Sequence, residues 1–182
     1  MPIITPTALL ERNKKYAESH QGFPIIAEAV ANGGVFEATL VPTCVDFRVN
    51  PDHFLRTKPE DQILVARNPA GRVVPAFLQE VMLFEAFLGL TSVVVIHHTD
   101  CGASHFKDDD IRKFHKDRLP DHSEIDHMVF GAFDNLEQSV RDDIHILKTS
   151  PYIPKKLADN CHGFVYDIKT GLLTPVEYET HV

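Results

Sequence analysis

Cys44, Asp46 and Arg48 place a thiol, a carboxylate and a guanidinium within five residues, at the end of the apolar run that begins at Ala38. Side chains alternate in direction along an extended chain, so these three would leave on one face. A second cluster, Ile96-His97-His98-Thr99-Asp100-Cys101-Gly102, also closes an apolar run, more than fifty residues later. Zinc favours thiolate and imidazole ligands in a tetrahedron, and a reactive zinc keeps three protein ligands and one open position. Cys44, Cys101 and one histidine supply such a set. His97 and His98 compete for the third place and point to opposite faces of an extended segment. His98 is the expected ligand, because its two-residue gap to Cys101 lets a tight turn bring both side chains onto one ion. His97 is expected to look back into the layer behind. Zinc lowers the pKa of a water it binds from ~15.7 toward ~7, less so where two thiolates already donate charge. Asp46 could orient that water or occupy the fourth position itself, and Arg48 could hold the carboxylate ionised and aimed.

These residues need a scaffold, and the pattern of the chain predicts one. Thr5-Pro6 reads as an N-cap and first turn, opening a helix to about His20 whose apolar side is limited to Leu9, Leu10, Tyr16 and Ala17. A second helix is expected over Pro24 to Ala31, stopped by Asn32-Gly33-Gly34. Strands are expected over 38–45, 62–66 and 92–96, the second of them covered on both faces. Pro42 sits awkwardly inside the first, since proline has no N–H for a ladder. Asn50-Pro51 caps a short helix to about Arg56, and a longer helix runs from Pro75 to Leu88 with Gly89 as its stop. The polar stretch 103–127 shows no firm period. Its Asp108-Asp109-Asp110 run is expected to be a solvated face, and Asp100 either to cap the helical turn after Gly102 or to support the residues around the metal, in preference to a role in proton transfer. A further helix is expected over Met128 to Lys148, then a strand, a turn at Lys169-Thr170-Gly171 and a return strand ending at Val176. Strands alternating with helices imply an α/β fold with a mostly parallel central sheet flanked by helices. Such sheets gather functional residues at their C-terminal strand ends, where the clusters at Cys44, Arg67-Asn68 and His98 all fall.

Composition bounds the function. A chain of 182 residues, 43% hydrophobic and 24% charged, suits one globular domain, here 1–182 with an N-terminal arm over 1–23. A net charge of −8 without a basic stripe argues against nucleic acid or an anionic membrane as partner. Nothing resembles a secretory signal or a bilayer span, so a cytoplasmic location is expected. Three cysteines, an odd number, point away from a disulfide framework and toward metal or thiol chemistry. Cys161 reads as a buried free thiol, and His105, His115, His122 and His127 as surface residues.

The two clusters together resemble the signatures of the β-class carbonic anhydrases: Cys-x-Asp-x-Arg at Cys44-Val45-Asp46-Phe47-Arg48, and His-x-x-Cys-Gly at His98-Thr99-Asp100-Cys101-Gly102. The Arg67-Asn68 loop and the closing strand-turn-strand are also similar, and the likeness extends over most of the chain from about Pro24. The resemblance implies one zinc per chain on Cys44, His98 and Cys101, with Asp46 and Arg48 as the accompanying catalytic dyad. It also implies reversible hydration of carbon dioxide to bicarbonate, a homodimer or higher homo-oligomer, and Asp46 either on or off the metal. Phe47, where the family commonly has a small residue, and Pro69 depart from its pattern, which bears on pocket shape. Relatives of this fold hydrolyse carbon disulfide or carbonyl sulfide. A sulfur-substrate hydrolase and a catalytically silent, zinc-stabilised protein are therefore the competing readings.

Overall fold

The computed structural model describes residues 3–23, 25–31 and 36–178. It comprises two compact units, 1–35 and 36–182. In the first, helix α1 (Pro6–Ala17) starts where Thr5 predicts, with Thr5 Oγ1 accepting from Ala8 N at 3.2 Å, and none of its residues is buried. Helix α2 covers Ile26–Ala31; Pro24 and the expected stop at Asn32-Gly33-Gly34 lie outside the described residues.

The second unit is built on a five-stranded sheet. Its strands are β1 (Thr39–Cys44), β2 (Ile63–Asn68), β3 (Ser92–His98), β4 (Cys161–Tyr166) and β5 (Leu173–Val176), in the order β2-β1-β3-β4-β5. The first four run parallel, and β5 returns antiparallel on β4 after the predicted turn. Between the strands lie helices α3 (Pro51–Phe54), α4 (Pro75–Leu88), α5 (Asp108–Lys116), α6 (Leu136–Thr149) and α7 (Lys155–Asp159). One hydrophobic core joins Leu40 of β1, Val93 and Val95 of β3, Phe77 and Val81 of α4, and Val140, Ile144 and Leu147 of α6. Each such fully buried side chain contributes roughly 1.5–3 kcal/mol. That packing fixes the sheet, and the strand ends carry the site.

Several expectations are corrected. Strand β2 is an edge strand and only half-buried, because a short apolar run does not say how many neighbours a strand will have. Strand β3 continues through His98, so both histidines belong to the sheet. Helix α6 begins at Leu136 instead of Met128: Gly131 takes φ +87°, and Asn135 Oδ1 caps the true start by accepting from Gln138 N at 2.9 Å. Asp108 is not part of a solvated face; its carboxylate accepts from Phe130 N and Ala132 N, both at 3.0 Å. Helix α7 gave no sequence signal that distinguished it from a loop.

Pro42 lies in a central strand after all. The β1–β3 register pairs Thr39 with Ser92, Leu40 with Val93 and Thr43 with Ile96, and skips Val41 and Pro42. Thr43 Oγ1 donates to the Ile96 carbonyl at 2.8 Å, adding a side-chain donor beside the residue that has no N–H. Among the described residues, no helix is long and apolar enough to cross a membrane.

Candidate metal centre

Strand β1 delivers Cys44 as its last residue, and β3 delivers His98 as its own, while Cys101 follows a two-residue turn. The turn depends on Asp100, whose φ of +54° is the left-handed region that Asp and Asn tolerate better than most residues. Candidate ligand atoms of Cys44, His98 and Cys101 all lie within 4.8 Å of one another, and all three residues are buried. The two sulfurs are 3.9 Å apart. Sulfurs that each sit ~2.3 Å from a tetrahedral zinc would be about 3.8 Å apart.

The imidazole fits as well. His98 Nδ1 is 2.9 Å from the Thr99 carbonyl, which can only accept, so this nitrogen carries the proton. Nε2 is left with a buried lone pair and no hydrogen-bond partner, which is the form that binds a metal. The thiols are electrically coupled. Cys44 is drawn below the ordinary thiol range by the hydrogen bond from the Cys101 thiol, and Cys101 is pushed up by the thiolate it would face. The pair gives up one proton readily and the second reluctantly, and a bound cation would draw out the second.

The backbone around Cys44 is held from two sides. Arg67, at the end of β2, donates from Nε to the Cys44 carbonyl at 3.0 Å and from one terminal nitrogen to the carbonyls of Asp46 and Val49 at 2.7 Å each. The turn 69–71 packs underneath with Ala70 at φ +65° and Gly71 at φ +72°. A Cβ on Gly71 would lie 2.9 Å from Cys44 N, so only glycine admits this approach.

Asp46 and Arg48 pair as the sequence predicts. Arg48 Nε lies 3.1 and 3.2 Å from the two Asp46 carboxylate oxygens, its terminal nitrogen donates to Oδ2 at 2.7 Å, and its backbone N–H donates to Oδ1 at 2.9 Å. Hydrogen bonds from Arg48 hold the Asp46 carboxyl down to about 2. Of the two roles expected of Asp100, the cap on the turn after Gly102 is absent and the supporting contact is present: its carboxylate and carbonyl both accept from Arg48. Phe47 stands 93% exposed and lines no part of the recess, so this departure leaves the pocket's shape alone. The recess, about 250 Å³, opens between Cys44, Val45, Pro69, Ala70, Cys101 and Phe106. A larger one of about 540 Å³, beside Arg72, Pro75 and Val129, includes none of the three candidate ligands.

His97 turns away, as expected. Its Nδ1 is 2.8 Å from Ser139 Oγ and its Nε2 3.0 Å from Asp143 Oδ2. Asp143, fully buried, also accepts from Arg72 and from Val73 N. This network was not foreseen, although one signal existed: Asp143 interrupts the apolar stripe Val140, Ile144, Leu147 at helical spacing. Cys161 is buried and donates to the Leu157 carbonyl at 3.2 Å, and His105, His115, His122 and His127 are exposed.

Comparison with known proteins identifies the family. The chain is 30% identical over 152 residues to a carbon disulfide hydrolase of Saccharolobus solfataricus, covering 72% of this chain and 73% of that protein. It is 27% identical over 139 residues to β-carbonic anhydrase 1 of Mycobacterium tuberculosis, covering 75% and 80%. The crystal structure of a carbonic anhydrase from Streptococcus mutans superposes with a TM-score of 0.80 at 28% identity, over 97% of this chain and all of that one. The carbonic anhydrase family profile matches residues 39–173, from the first residue of β1 to the first of β5, and with it the chain belongs to the β-class carbonic anhydrase family.

Proposed function

We propose that this chain is a zinc-dependent carbonic anhydrase that hydrates carbon dioxide reversibly to bicarbonate, with Cys44, His98 and Cys101 as the zinc ligands. The observation that carries the reading is the unpartnered His98 Nε2 grouped with two thiols at the end of the sheet. Bound there, zinc would acidify water and so supply a nucleophile at neutral pH. Asp46 remains ionised at that pH and can accept a hydrogen bond from the attacking water. Arg48 occupies both Asp46 oxygens, which keeps the carboxylate aimed and favours an open fourth position over ligation by Asp46. Val45, Pro69, Ala70, Ala103 and Phe106 give the recess an apolar wall suited to a small uncharged gas.

Stopped-flow hydration on the zinc-replete protein between about pH 6 and 9 tests this reading; turnover at background throughout, with zinc present, would sink it. Cys44→Ser should lose zinc, and full retention would undo the ligand assignment. Hydrolysis of carbon disulfide or carbonyl sulfide is the second reading, supported by the likeness to a carbon disulfide hydrolase and by the same apolar wall. Sulfide release from those gases, assayed beside carbon dioxide hydration, separates the two. We place the protein in the cytoplasm as a homodimer or larger homo-oligomer, the latter because Leu83, Phe87 and Val129 leave large apolar surface exposed.

A further inference from the structure

Arg48 is gripped from two sides. One edge of its guanidinium, Nε and a terminal nitrogen, faces Asp46. The other edge faces Asp100, with Nη1 donating to Asp100 Oδ2 at 2.7 Å and Nη2 to the Asp100 carbonyl at 2.9 Å. Among the described residues, these two acids supply every hydrogen bond that the Arg48 side chain makes. The Arg48 side chain is 39% exposed, so water can compete for any guanidinium edge whose grip is lost. Asp100 reaches Arg48 only because the turn between His98 and Cys101 takes the left-handed conformation at this residue. The loop that spaces two candidate ligands thus also anchors the partner of Asp46.

We propose that Asp100 is a positioning residue for the Asp46–Arg48 pair, holding the far edge of the Arg48 guanidinium so that its near edge stays squared on the Asp46 carboxylate. The proposal rests on the reading that Asp46 serves an open metal position. Asp100 acts through Arg48 and not as part of a proton relay, because an arginine between two carboxylates does not give up its proton. His105, whose Nε2 lies 3.4 Å from Asp100 Oδ1, adds a long and exposed contact on the outer side. It cannot replace the grip on Arg48.

The discriminating variant is Asp100→Asn, which keeps a residue that tolerates the left-handed backbone and keeps the carbonyl contact while removing the charge. In the zinc-loaded full chain it should lower kcat for carbon dioxide hydration about fivefold, with zinc content and urea midpoint unchanged. In an Arg48→Gln background the same substitution should have no further effect, because its route is gone. A crystal structure of Asp100→Asn should show the guanidinium displaced from Asp46. A kcat within twofold of wild type, or an equal loss in both backgrounds, would overturn the proposal. Asp100→Gly, free of backbone strain, is the second variant; if both variants shed zinc or unfold, Asp100 is a structural turn residue and the proposal fails. Should the wild type hydrate no carbon dioxide, the proposed function falls on that result alone. The crystal structure then decides this proposal, and an unmoved Arg48–Asp46 pair refutes it.

Discussion

Arg67 directs its fork at main-chain carbonyls on both sides of the turn that carries Asp46 and Arg48. A lysine would keep the charge but lose the planar spread of donors needed to bridge three carbonyls. Arg67→Lys is therefore expected to weaken zinc binding about tenfold, the lower end of what supporting contacts around metal ligands contribute. Competition against a chromophoric chelator measures this, and wild-type affinity would show that the strand end holds itself. Asp46 offers a second test at this scale. Its carboxyl is lowered from the ordinary 3.8 to about 2 by Arg48, so the pairing stabilises the fold above 3.8 and that contribution is lost as the pH falls through about 2. Asp46→Asn should destabilise metal-free protein near neutral pH, and the gap to wild type should close progressively as the pH is lowered from 3.8 to about 2. A gap that stays constant in urea titrations would mean that the pair adds no net stability. The same shift implies that a hydration rate rising between about pH 6 and 9 reports a group other than Asp46.

At the scale of elements, the site depends on α6 lying close against β3 and β4. Gly163 makes the approach possible, since a Cβ there would collide with Val140 Cγ1 and crowd Ile144 Cγ1 at 3.2 Å. Gly163→Ala should cost about 1–3 kcal/mol by overpacking. Adding Val140→Ala should recover part of that loss, so the double mutant falls short of the sum of the singles. Strict additivity in urea unfolding would show that the sheet moves instead. The tight fit also explains what the sequence could and could not convey. Helix α4 was legible at both ends, because Pro75 and Gly89 are local signals at its boundaries. The start of α6 was not, because Phe133 continues the apolar spacing into a segment that Gly131 and Asn135 keep out of the helix. The number of neighbours of β2 was equally hidden, since strand order is set by packing between distant segments and not by any one of them.

For the whole molecule, the candidate ligands and the Asp46–Arg48 pair could be read from spacing alone. The supports could not: Arg67, Asp143 and the grip of Asp100 on Arg48 join residues that are 18 to 71 positions apart. No periodicity marks such pairings. The arm poses a different whole-molecule question. Helix α1 has 12 residues and buries none of them, while Leu9, Leu10 and Tyr16 are more than half exposed. A helix of that length is marginal in water without an apolar partner. Among the described residues, every member of the hydrophobic core lies in the unit 36–182, which should therefore fold without residues 1–35, yet it exposes Leu83, Phe87 and Val129. In the homo-oligomer proposed above, a second copy of the chain would supply partners for both sets at once. Sedimentation should therefore find the full chain as a dimer or larger assembly at micromolar concentration. Removing residues 1–35 should shift it toward monomer while the urea midpoint of the remaining unit changes little at high dilution. If both forms sediment as monomers, the arm has no partner of its own kind, and the helicity of α1 measured by circular dichroism should then be low.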